Sequence, residues 1–239
     1  TVDTAAEANL LNDAIDAMGS GSVDTQAELA NLARIVQGIM DTANGVTPSP
    51  ALTAADLAAL GLTGVNEDNL NAILAAIATT ANNGSEVDSS SELQAIVTTA
   101  NQSYTQAVTA LSNYSGSAPV PTTDTWNVAG VEGITSGNLD VANAYLAALG
   151  TSASNSTSEL QALANAVTAL LAGADATDNN NLSLTASQYQ TLGATSIDSA
   201  VEVSLLNDVV DIQSATGVDT PEKLSALAQT VSGVFDLAA

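Results

Sequence analysis

The residues of this chain that could do chemistry are almost all carboxylates. Asp and Glu number 26 against two cations, Arg34 and Lys223, for a formal net charge of -24 at pH 7. Carboxylates in oxygen-rich loops suit a hard cation, and calcium is the candidate cofactor. Two clusters have that composition. Asp175 and Asp178 stand with Asn179, Asn180 and Asn181 in one linker, and Glu86 stands with Asp88 in another loop. These four carboxylates are the candidate metal ligands. Neither cluster has the spacing of the helix–loop–helix calcium motif or of the glycine-rich nonapeptide. There is no Cys and no His, which excludes thiol catalysis, zinc held by Cys or His, and disulfides. A Ser or Thr nucleophile would need an amine as its base, and Lys223 lies at a helix start, where solvation accounts for it. No nucleophile elbow, phosphate loop or dinucleotide fingerprint is present. Composition permits two-carboxylate glycoside hydrolysis, but the carboxylates recur at helix starts, where free backbone amides already explain them. The expectation is no enzyme, with no catalytic and no cofactor-binding residue.

The same composition bounds the partners. So acidic a chain does not bind nucleic acid, because neutralising phosphates requires Lys and Arg. No run approaches the roughly 20 apolar residues of a membrane span, so no membrane insertion is expected. Charged residues are only 12% of the total, and the polar surface must be mostly Ser, Thr and Asn.

The elements that position these residues repeat. A unit of roughly 65 residues occurs about three and two-thirds times. Thr1 to Asp41 aligns without a gap on Ser196 to Asp236, with EANLLNDAID at Glu7 matching EVSLLNDVVD at Glu202. The divisions are 1–46 (a partial first copy), 47–119, 120–181 (divergent) and 182–239. Each full copy reads as three helices. The opening helix is short. In the second copy Thr53 is its N-cap, Leu52 and Leu57 form a hydrophobic staple, and Gly61 stops it. Leu184, Thr185, Gln188, Tyr189 and Gly193 repeat the device, as do Pro121, Thr122, Trp126 and Gly130 more loosely. Trp126 therefore reads as a core anchor. Asp3, Asn66, Thr135 and Asp198 read as caps of a second helix. Its apolar stripe is Leu10, Leu11 and Ile15 in copy one and Leu70, Ile73, Leu74 and Ile77 in copy two. The third helix opens on capping boxes, Thr25 with Glu28, Ser89 with Glu92 and Ser156 with Glu159, or on Thr220 followed by Pro221. A stripe of period 3.6 follows each, Leu29 to Met40 in copy one and Leu224 to Phe235 in copy four. The first copy lacks its opening helix, because Thr1 matches Ser196. Pro-, Gly- and Asn-rich joints at 45–51, 115–123 and 173–183 separate the copies. The expected fold is all-α, a tandem array of small three-helix bundles that stack on their neighbours for want of a large core.

The opening LTAADLAALGLTGV of copy two, its DNLNAI middle and the VDSSSELQAIV of its third helix resemble the helical tandem repeats of giant bacterial surface adhesins, the biofilm-associated class secreted by type I systems. The resemblance extends over essentially the whole chain and is faintest in copy three. It implies an extracellular, cell-surface location and a spacer or adhesive role, in some members with calcium-stiffened linkers, and it carries no catalytic residue. The expected function is a structural, non-catalytic stalk, extender or adhesive segment. One alternative is a self-assembling subunit of a surface layer or extracellular filament, since a missing opening helix leaves apolar surface for a neighbour to cover. Another is a helical module that binds a protein or glycan. The expected partners are neighbouring copies of itself or adjacent repeats of a longer chain.

Overall fold

The computed structural model describes residues 2–18, 23–81, 84–150, 156–178 and 181–237. The chain is all-α, with 63% helix and no strand among the described residues. The helices are α1 (Ala5–Ala17), α2 (Gln26–Ala43), α3 (Ala54–Ala59), α4 (Leu70–Ala78), α5 (Ser90–Ser112), α6 (Thr123–Val128), α7 (Leu139–Leu149), α8 (Thr157–Gly173), α9 (Ala186–Thr191), α10 (Ala200–Asp211) and α11 (Pro221–Asp236). The breaks before α3, α6 and α9 fall in the joints marked by Pro, Gly and Asn.

Local chemistry sets most of these boundaries. The short helices α3, α6 and α9 open on reciprocal capping boxes, Thr53 with Asp56, Thr122 with Thr125 and Thr185 with Gln188. Each box satisfies backbone amides that the first turn leaves without partners. All three helices end alike. Gly61, Gly130 and Gly193 take φ of 82°, 75° and 84°, a left-handed conformation that a side chain would strain. Leu62, Val131 and Ala194 then donate back to the carbonyls of Leu57, Trp126 and Tyr189 at 3.3, 3.0 and 2.9 Å, closing the Schellman geometry. The capping boxes Thr25 with Glu28 and Ser156 with Glu159 open α2 and α8 as expected, and Ser89 with Glu92 opens α5.

The second-helix caps differ from expectation. Thr4 and Ser199, one residue beyond Asp3 and Asp198, are the N-caps of α1 and α10. Glu7 and Glu202 complete their boxes, and each carboxylate also accepts from the preceding Asp amide. In α4 and α7 the helix starts later, after Asn69 and Asn138, and neither side chain caps it. Asn66 and Thr135 instead hold a turn ahead of it, their amides donating to the Oδ1 of Asn69 and Asn138 at 2.8 and 2.7 Å.

Two compact units divide the chain at 105/106, within α5. The core of the first unit includes Leu10, Ile35, Ile39, Leu57, Ile73 and Val97. In it α2 packs against α1, α3 and α4. The core of the second unit includes Leu111, Trp126, Tyr145, Leu163, Tyr189 and Val231. There α8 packs on α7, α9 and α10, while α11 packs on α10 and α7. Neither core is confined to one copy: each gathers apolar side chains from both sides of a copy boundary. The physical reason is size, since about 65 Ala-rich residues bury too small a share of their surface to close a core alone. Leu29 also departs from its expected stripe. It is 43% exposed, whereas Leu93, Leu160 and Leu224 at the same place are fully buried. The starts of α5 and α8 rest on the segments that follow α3 and α6, through Gln94 with Thr63 and Thr157 with the Ala129 carbonyl.

Candidate functional site at the joints between copies

The side chains with unusual chemistry gather where copies meet and where helices begin. The first group is two buried carboxylates at equivalent places, one in each unit. Glu7 is 1% exposed and Glu202 is 6% exposed. Burial of Glu7 opposes its ionisation, but the amides of Asp3 and Thr4 and the Thr4 hydroxyl outweigh that and hold its carboxyl below the usual range. The Ser199 hydroxyl and amide act likewise on Glu202 and pull it down to about 2. Both carboxylates are thus fixed, ionised and spent on helix starts. Composition had hidden them, although Thr4-x-x-Glu7 and Ser199-x-x-Glu202 are legible as capping boxes.

The second group is a polar clamp. Trp126 is fully buried, as expected of a core anchor, and its indole Nε1 donates to Asn143 Oδ1 at 3.1 Å. The Asn143 amide donates in turn to the Pro121 carbonyl at 2.8 Å. Copy four repeats this with Tyr189 Oη donating to Asn207 Oδ1 at 2.8 Å and Asn207 donating to the Leu184 carbonyl at 3.1 Å. In copy two the same two places hold Leu57 and Leu74, and no polar handle is needed. An aromatic with a donor is matched by Asn, and an aliphatic is matched by an aliphatic, as the cost of stranding a buried polar group requires. Burial pushes the Tyr189 phenol up, and it pushes up the Tyr145 phenol, which donates to the Val218 carbonyl at 2.7 Å.

The third group ties the third helices α5 and α8 to their own copies. Gln94 accepts from the Thr63 amide at 2.9 Å and donates to the Thr63 carbonyl at 3.2 Å. Gln161 does the same with Glu132, at 2.8 and 3.1 Å. Asn69 and Asn138 both donate to a glycine carbonyl, Gly64 and Gly133, at 2.8 Å, and reach across to Asn101 and Thr168.

Both cations are held in pairs. Arg34 of α2 pairs with Asp56 of α3, and Lys223 reaches Asp219 at 2.6 Å and the Thr216 carbonyl at 2.9 Å. Asp56 therefore serves the α3 capping box and the joint together. Its burial is outweighed by Thr53 and Arg34, which lower its carboxyl.

The candidate metal ligands fall in different units. Asp175 and Asp178 belong to the second unit and Glu86 and Asp88 to the first. Asp175 accepts from the Thr177 amide at 2.9 Å, from the Thr177 hydroxyl and from Asn181 Nδ2 at 2.9 Å. Asp178 is exposed, and Asn179 and Asn180 lie outside the described residues. Glu86 accepts from the Ala81 amide at 2.6 Å, and Asp88 accepts from Asn9 at 3.2 Å. Among the described residues no three Asp or Glu side chains converge as a metal group.

Two clefts of ≈ 390 Å³ flank the joints. One lies between α2 and Pro48–Pro50 and is lined by Arg34, Gln37 and Asp41. The other lies between α8 and 181–184 and is lined by Ala172, Gly173, Ser183 and Gln188. Their linings share no charged pattern, so they are places where a linker crosses a helix rather than two versions of one ligand site. Compared with family models, with curated proteins and with solved structures, the chain finds no match in any of the three.

Proposed function

We propose that the chain is a structural, non-catalytic repeat region of a bacterial surface protein, working outside the cell as a stalk, extender or adhesive segment. In this reading each full copy is a short opening helix followed by two longer ones, and neighbouring copies complete each other's cores. One observation carries it. The joint at which a third helix receives the next copy's opening helix recurs at α2 with α3 and at α8 with α9. Repetition of a joint is what a chain selected for span requires, because every added copy then extends the same packing. The buried carboxylates Glu7 and Glu202 and the buried amides Asn69, Asn138 and Asn143 support the reading in another way: they serve helix starts and clamps. It requires no cofactor. The partners it implies are adjacent repeats or neighbouring copies, with no nucleic acid and no insertion into a membrane.

Antibodies raised against the purified chain test the location. Labelling of intact source cells, abolished by protease added outside, is the expected result. Labelling only after the cells are broken open would overturn it.

A further inference from the structure

The asparagines of this chain are not equally engaged. Asn69, Asn101, Asn138, Asn143 and Asn207 each donate their side-chain amide to a backbone carbonyl. Each of them is also followed by a residue with a side chain, which crowds the next backbone nitrogen. Asn44 differs on both counts. It is the C-cap of α2, it is exposed, and its side chain makes no hydrogen bond among the described residues. Gly45 follows it, also exposed, and nothing lies within 4 Å of the place a Cβ would occupy there. A free carboxamide beside an uncrowded backbone nitrogen is a reactive pair.

We propose that Asn44–Gly45 is a covalent modification site at which the folded chain converts Asn to aspartate and isoaspartate, with water as the only co-reactant. The Gly45 nitrogen bonds to Asn44 Cγ, the Cγ–Nδ2 bond breaks, and the Gly45 amide proton leaves with Nδ2 as ammonia. The product is a cyclic imide. Water opens it at one carbonyl to give aspartate or at the other to give isoaspartate, which carries an extra carbon in the backbone. The fold gates this reaction. The Gly45 amide donates to the Thr42 carbonyl at 3.0 Å and the Val46 amide to the Asp41 carbonyl at 2.8 Å. Attack needs a rotation about the Asn44 ψ, now 3°, that breaks both bonds. Only the last turn of α2 has to open, and helix ends open locally at low cost. Two backbone hydrogen bonds make the folded chain about 5- to 150-fold slower than the unfolded one.

The repeat shows what the product would meet. In copy three Asp175 already stands at the place of Asn44, and Ala176 at that of Gly45 takes a φ of 64° against 72°. Asp175 is received by the Thr177 amide and hydroxyl and by Asn181. Copy one has Val46 at the place of Thr177, with its amide already given to Asp41. A new carboxylate there would face the negative end of α2 with no hydroxyl to receive it. The inference does not rest on the surface-protein reading.

The experiment incubates the whole chain at mildly alkaline pH for weeks, folded and in concentrated urea. Mass spectrometry follows the peptide that contains Asn44, which gains about 1 Da on conversion. Fragmentation separates aspartate from isoaspartate, and the peptide containing the other Asn–Gly pair, Asn83–Gly84, is read apart from it. The expected result is both products in both conditions, with the folded chain slower by about 5- to 150-fold. Asn44→Gln, at an exposed cap, is expected to fold and to form no isoaspartate in this peptide. Equal rates would overturn the gate. A folded chain slowed beyond that range reacts only through global unfolding, where the factor is about 1,000 or more, and would overturn the inference. So would an unfolded chain that does not convert, or isoaspartate that persists in this peptide of N44Q.

Discussion

Asn143→Leu isolates the polar clamp in the second unit. Leu shares the branched skeleton of Asn but is larger, so the substitution opens no cavity and adds some crowding, and it strands two groups inside the core: the Trp126 indole N–H and the Pro121 carbonyl. Each stranded buried group costs about 1–3 kcal/mol. The new Leu side chain buries apolar surface and returns about 1–2 kcal/mol. With about 1 kcal/mol of crowding added, the net loss is about 1–6 kcal/mol, which at a urea slope of about 1–3 kcal/mol per molar moves the midpoint by about 0.3 M or more. Trp126 is the chain's one Trp and sits in the second unit, so its fluorescence follows that unit while far-ultraviolet circular dichroism follows all the helices. The expected result is an early fluorescence transition with the first unit's share of the dichroism unmoved. Leu57 and Leu74 show the apolar solution to the same place. In a Trp126→Leu background, Asn143→Leu should therefore cost about 1–3 kcal/mol less, because no indole N–H is left to strand. A fluorescence midpoint within about 0.2 M of the unmodified chain would refute the reasoning, and so would an equal shift in both units.

Further outcomes follow from three other sites. Glu202 titrates at about 2 in the folded chain, below the ordinary Glu value of about 4.3, so its contribution is fully present above about pH 4.3 and fades as pH falls toward 2. Carboxyl-carbon NMR of Glu202 should show the lowered midpoint, and Glu202→Gln should flatten the acid limb of the second unit's stability curve; a carboxyl titrating near 4.3 would contradict the capping geometry. Among the glycines, an added Cβ at Gly173 would lie 2.7 Å from Leu182 Cβ and 2.5 Å from its Cδ1, so Gly173→Ala should cost about 1–3 kcal/mol by crowding. Gly233→Ala meets nothing and should gain about 0.5–1 kcal/mol by helix propensity, both read as shifts in thermal midpoint.

What was legible in the sequence was local. The boxes at Thr53, Thr185, Thr25 and Ser156 need only residues three apart, so spacing alone located the helix starts. Gly61, Gly130 and Gly193 need only the turn they close. Trp126 was legible as a core anchor because it recurs in register with Leu57 and Tyr189. Asn66 and Thr135 were misread as caps because the groups that settle the matter are distant. Asn69 and Asn138 are held by Asn101 and Thr168, about thirty residues on, and the helix begins after them instead. The Asn partners of Trp126 and Tyr189 were invisible for the same reason. The candidate cation loops were chosen by composition, which does not record that the Asp175 carboxylate faces Thr177 and Asn181.

Sequence by itself therefore determined an all-helical chain, its repeat, the starts of its opening and third helices, and the exclusion of Cys and His chemistry. These are decided within one turn of backbone, where propensity and capping act. Tertiary structure alone decided that cores run across copy boundaries, that Glu7 and Glu202 are buried, and that Leu29 stays exposed where its equivalents are buried. Burial depends on what lies opposite a side chain, and no spacing along one helix contains that information.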